Sequence, residues 1–226
     1  MHDFLPTVPH YLNIGQYSDI LTRQKGLNDA YNGATWFEDN IFTTRFRCAA
    51  DVEFVEFLQE INIHWDWYSK KKNHIDKQKA LFELVDVVHF MTAAVLRSGS
   101  LQYIIDGVEL GMDEYFNDPN LFFASPTGPD GNFLREMQDR YGFFWKAINE
   151  LTLEQGLTEA RVNDQLTRAS LHLLTFIAEG IAALGYTAEE FHKAYVLKNE
   201  RNHARVAGGV MRGIDVKSSE TELVLA

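Results

Sequence analysis

Apolar residues along the chain recur at intervals of three and four rather than two, as in Val52, Val55, Phe57, Leu58 and Ile61. That is the period of one face of a helix. All five prolines (Pro6, Pro9, Pro119, Pro126, Pro129) lie at the N-terminus or between 113 and 132, which leaves two long stretches free of the strongest helix breaker. The spacing predicts helices over 14–31, 49–67, 77–97, 134–151, 159–184 and 188–207, and so an all-α fold. The last two also carry end signals. Thr158 is placed to cap one and Gly185 to close it, while Thr187-Ala-Glu-Glu190 is a capping box for the other. The run 113–132, rich in Gly, Pro, Asp and Asn, is expected to be a long loop. It separates two helical groups of similar composition, so the 226 residues read as one domain, with a loosely attached tail from about 214.

Charge narrows the choice of partner. Lys+Arg 21 against Asp+Glu 32 gives a net charge of −11, and a surface of that sign repels nucleic-acid polymers. The single cysteine, Cys48, excludes an internal disulfide and any multi-thiolate metal site, which fits a reducing, cytoplasmic setting. The N-terminus has no basic run followed by an apolar core, as a secretory signal would. The most apolar stretch, 169–186, is interrupted by His172 and Glu179 and reads as a buried helix rather than a membrane span.

The chemistry is written most densely in 81–96, LFELVDVVHFMTAAVL, whose only charged residues are Glu83 and Asp86. A helix apolar on nearly all sides is buried, and an unpaired carboxylate in it costs several kcal/mol unless protonated, hydrogen-bonded or bound to a cation. The i, i+3 spacing puts both on one face. Glu53 and Glu56 repeat that spacing in the preceding helix, so antiparallel packing would aim four carboxylates at one point. Such an oxygen-rich set suits Mg²⁺, or Mn²⁺, and is poor for Zn²⁺. The alternative is a solvated Glu53/Glu56 face, with Glu83 paired to Arg45 or Arg47.

Near the end, Tyr195, Lys198, Asn202 and Arg205 follow at spacings of 3, 4 and 3, giving one helical face a phenol, an ammonium, an amide and a guanidinium. That set can hold phosphate oxygens and a sugar or base edge, or be a mixed-charge surface. Near the start, Gln24 and Asn28 stand one turn apart, and amides both donate and accept, as reading a pyrimidine edge requires. The alternative there is surface amides, with Asn32-Gly33 as a helix terminator. Trp65, Trp67 and Tyr68 cluster past the first acidic helix, where one ring could stack on a base or join the core.

In order, RQKGLNDAYNG, then RFRC with E53-x-x-E56, the tryptophan cluster before a lysine run, E83-L-V-D86 continuing into VHF, and Y195-V-L-K-N-E-R-N-H-A-R205 resemble the dimeric, all-α dUTPase family. That family is a branch of the all-α NTP pyrophosphatases that includes MazG. The resemblance spans about residues 21 to 213. It implies a helical bundle of that type, homodimeric, hydrolysing dUTP to dUMP and pyrophosphate by attack of water on the α-phosphorus. It implies Mg²⁺ held by Glu53, Glu56, Glu83 and Asp86, with one of the first pair, Glu53, activating the water. Gln24, Asn28 and Trp67 would contact the nucleoside, and Tyr195, Lys198, Asn199, Asn202 and Arg205 the base, sugar and phosphates.

Two departures fall where the nucleotide would be enclosed. The family continues its late motif as Arg-Gln and then Gly-Tyr, whereas Val206 follows Arg205 and Val210 follows Gly209 here; the stretch between the acidic motifs also carries extra lysines. Base choice among dUTP, dCTP, dTTP or a broader set therefore stays open. Two rival classes share some residues. Asp86-Val-Val-His89 has the carboxylate-x-x-His spacing of di-iron bundles, though that fold wants the motif twice. A catalytically silent nucleotide-binding bundle would have no use for Glu83 and Asp86 in so apolar a helix.

Overall fold

The computed structural model describes residues 11–39, 41–61, 76–117, 131–153 and 156–208. They form seven α-helices and no strand: α1 (Ile14–Asn32), α2 (Ile41–Glu60), α3 (Lys77–Ser98), α4 (Leu101–Asn117), α5 (Gly131–Leu153), α6 (Glu159–Leu184) and α7 (Ala188–Ala207), with a 3₁₀ turn at Trp36–Glu38. The all-α fold expected from the spacing is the one observed. The end signals behave as read: Thr158 accepts the Arg161 N–H, Gly185 closes α6 in the left-handed region (φ 79°), and Thr187 and Glu190 cap each other's backbone.

Two elements differ from expectation. The second helix, Ile41–Glu60, starts at Ile41 rather than at 49, because the Asp39 carboxylate accepts the Ile41 N–H (2.9 Å) and starts it two turns earlier; residues 62–67 of the expected span lie outside the described residues. Helix α4 lies where the spacing predicts no helix, and it enters the run expected to be a loop as far as Asn117. Trp65, Trp67, Tyr68, the rest of that run (118–130) and the tail from 214 lie outside the described residues.

Helix α3 is the central post, with fourteen of its 22 residues buried. At about 1.5–3 kcal/mol for each fully buried aliphatic side chain, this one helix anchors the bundle. Helix α2 runs antiparallel along it, tied at one end by Lys79 to Glu60 (2.5 Å) and at the other by Arg97 Nε donating to the Asp39 carbonyl (3.2 Å). Helix α6 crosses behind, so close that a Cβ on Gly180 would meet Leu84 at 2.7 Å. Helix α7 is parallel to α1, as the pairs Asp19–His192 (2.8 Å) and Gln24–Tyr195 (2.8 Å) require, and antiparallel to α3, as the contacts of Lys198 with Asp86 and of Tyr195 with His89 require.

Glu179, one of the two interruptions in 169–186, lies in the interior of α6 and meets Arg140 Nε of α5 at 3.2 Å. Burial pushes its carboxyl up to about 7 against the pull of that guanidinium. Among the described residues no single helix is long and apolar enough to cross a membrane.

Candidate active site

Helices α1, α2, α3 and α7 enclose a cavity of about 550 Å³. Each contributes one stripe. From α1 come Gln24, Leu27, Asn28, Tyr31 and Asn32; from α2, Phe42, Arg45, Phe46, Ala49 and Glu53; from α3, Asp86, His89 and Phe90; from α7, Lys198, Asn202 and Arg205. The stripes exist because positions three and four apart share a helix face, so a helix that buries one side can hold a ligand on the adjoining strip.

Antiparallel packing of α2 and α3 brings three of the four carboxylates of the two acidic motifs together. One carboxylate oxygen from each of Glu53, Glu56 and Glu83 lies within 4.8 Å of the others. Asp86 stands beside this trio, but its Oδ2 accepts a hydrogen bond from Lys198 Nζ at 2.6 Å. Neither Arg45 nor Arg47 neutralises Glu83: Arg45 lies over the Phe42 ring and Arg47 over that of Trp145.

The crowding shows in the protonation. Burial, then the charges of Asp86, Glu56 and Glu83, push Glu53 up to about 7. Burial and Asp86 do the same to Glu83, with Lys198 opposing. Burial raises Asp86, and Lys198 pulls it back. Carboxylates this close, facing too few cations, make an all-oxygen donor set that fits a hard divalent ion and would be stabilised by one.

Helix α7 divides its predicted face in two. At about 100° per residue, Lys198, Asn202 and Arg205 form the strip that lines the cavity, while Tyr195 and Asn199 are rotated toward the core. Tyr195 (0% exposed) and Asn199 (1%) lie behind the wall rather than on it. Tyr195 stacks on His89 with centroids 4.3 Å apart and planes 13° apart, and its hydroxyl donates to Gln24 Oε1 at 2.8 Å. Gln24 Nε2 donates in turn to Asn28 Oδ1 at 3.2 Å. The Asn32-Gly33 terminator also forms, Gly33 N–H donating to the Asp29 carbonyl at 3.0 Å.

Arg45, His89 and Phe90 join the cavity as well. The sequence offers Arg45 as a partner for Glu83 and His89 as part of a di-iron spacing, and gives Phe90 no role; the spacing by four of Arg45, Ala49 and Glu53 is the signal that places Arg45 on the same face as Glu53. His89 stands apart from the acidic group: among the described residues the carboxylates that converge are Glu53, Glu56 and Glu83, and the second carboxylate-x-x-His motif that a di-iron bundle needs does not join them. The His89 Nδ1 is engaged by the Val85 carbonyl (2.9 Å), and burial lowers the ring to about 3.

An all-α bundle whose interhelical cavity has grouped carboxylates at one end and amides, aromatic rings and basic groups along its walls carries the donor types that a phosphorylated nucleoside and its cation would engage. Such an arrangement fits the class of all-α nucleotide hydrolases. Residues 16–209 match the family model described as dUTPase, and the chain belongs to that family. It is accordingly an enzyme, a nucleoside triphosphate pyrophosphohydrolase of dUTP diphosphatase type. No curated protein matches the chain in a direct sequence comparison.

Proposed function

We propose that this cavity hydrolyses dUTP to dUMP and pyrophosphate with Mg²⁺, or Mn²⁺, by attack of water on the α-phosphorus. The observation that carries this reading is the trio Glu53, Glu56 and Glu83 within 4.8 Å, at the end of a 550 Å³ cavity whose other walls are cationic and amide-bearing. Glu53, Glu56 and Glu83, with Asp86 beside them, would hold a divalent ion, which would supply positive charge against the triphosphate.

The remaining work belongs to the chain. Lys198, Arg205 and Arg45 line the walls and receive phosphate charge. Lys198 is placed to exchange Asp86 for a phosphate oxygen. Glu53, the half-buried member of the α2 pair and the one that lines the cavity, orients the attacking water and takes its proton. Phe90 and Phe42 offer rings to the base, with Gln24 and Asn28 on the adjoining wall. dCTP and dTTP are the rival substrates. Exposed Val52 (57%) and Val55 (40%) on α2 support the homodimer that the family implies.

Hydrolysis in ¹⁸O-labelled water tests the bond cleaved. Label found in dUMP and absent from pyrophosphate is the expected result; label in the inorganic product would place attack on another phosphorus.

A further inference from the structure

Tyr195 touches no part of the cavity, yet it begins a chain that ends there. Its hydroxyl donates to Gln24 Oε1 (2.8 Å), and Gln24 Nε2 donates to Asn28 Oδ1 (3.2 Å). All three side chains are almost fully enclosed, at 0%, 3% and 5% exposure. The end of the chain is an amide nitrogen, Asn28 Nδ2, which is buried and has no protein partner, on a residue that lines the cavity.

The chain could in principle run either way, because an amide offers a donor at one end and an acceptor at the other. The phenol breaks the tie. In the reverse direction Gln24 Nε2 would donate to Tyr195, and the phenol hydrogen would have no acceptor among the described residues. A buried donor left unmade costs about 1–3 kcal/mol, enough to hold both amides in one orientation.

A second fixed group stands on the same cavity. The Val85 carbonyl can only accept, so His89 Nδ1 carries the proton and Nε2 presents a lone pair, buried and unpartnered. The ring is held by its stack on Tyr195. One tyrosine therefore positions both the donor at Asn28 and the acceptor at His89.

We infer that Tyr195 is a specificity-determining positioning residue: its hydroxyl sets the direction of the Tyr195–Gln24–Asn28 relay, so that the cavity offers a base one N–H and one lone pair. A ring N–H flanked by a carbonyl, as in a uracil-type base, satisfies that pair. A cytosine-type base has these polarities inverted at the same two positions. It could match only by sliding along the wall, which a triphosphate held at Lys198 and, through a bound cation, at the carboxylates would prevent. The inference rests on the proposal that this cavity is the nucleotide site, but not on its chemistry.

The test is calorimetric binding of the α,β-imido analogues of dUTP and dCTP, which keep the triphosphate and resist hydrolysis. Wild type should favour the uracil analogue by about 100-fold or more, since a site built to hydrogen-bond leaves its groups unpaired with the wrong base. Tyr195→Phe should cut that ratio about tenfold or more, because Gln24 and Asn28 then flip at little cost. Equal weakening toward both analogues, or no preference in wild type, overturns the inference. If Tyr195→Phe does not fold, Asn28→Asp, which has no N–H to offer, should lose the preference, and a retained ratio overturns the relay. Selective binding without turnover would instead defeat the proposed hydrolysis and leave the relay standing.

Discussion

Glu53 and Glu83 face one another across α2 and α3 with Lys198 and Lys79 as their nearest compensating charges, and both are pushed up to about 7 from an ordinary 4.5. The sign of the consequence follows. The folded chain holds protons that the unfolded chain releases, so this contribution is fully present below about 4.5 and is lost as pH rises through 7. The metal-free protein should therefore melt at a lower temperature at pH 8 than at pH 5. Glu83→Gln should flatten part of that decline, and saturating Mg²⁺ should remove it in wild type. Equal slopes for wild type and variant in scanning calorimetry would refute the crowding. These carboxylates were legible from sequence because acids in so apolar a helix demand a partner. Tyr195 and Asn199 were legible as part of a face, but spacing alone does not fix which edge of a face turns inward.

At the scale of elements, periodic helices with caps or closing residues were legible and α4 was not. Its apolar positions Leu101, Ile104, Ile105 and Val108 keep a helical period, but Gly107 and Gly111 interrupt it and usually weaken a helix. The structure gives Gly107 a reason that belongs to tertiary packing. A Cβ there would meet Thr167 Oγ1 of α6 at 2.5 Å, so a larger residue forces that hydroxyl or the helix to shift. Gly142 in α5 has nothing within 4 Å. Gly107→Ala should cost about 1–3 kcal/mol in urea unfolding through overpacking. Gly142→Ala should instead stabilise by about 0.5–1 kcal/mol through helix propensity. Like effects at the two positions would show that α4 and α6 are not in close contact.

At the scale of the whole molecule, four helices remote in sequence converge on one cavity, and the net charge of −11 takes on a different meaning there. Acidity excludes a polyanion from the surface, while the few carboxylates at the α2–α3 seam prepare the same chain to receive a triphosphate with its cation. Sequence made the acidic end and most of the basic strip readable. It did not place Arg45, His89 and Phe90 on the cavity wall, because that depends on which helix faces which. The most direct test of the central claim is pyrophosphate release from dUTP, dCTP and dTTP, with Mg²⁺ and with EDTA, by wild type and Glu83→Gln. The account predicts turnover of dUTP that requires Mg²⁺ and falls on the order of a thousandfold in the variant while its fold is kept. Turnover at the wild-type rate by Glu83→Gln, or no turnover of any of the three by wild type, would contradict it.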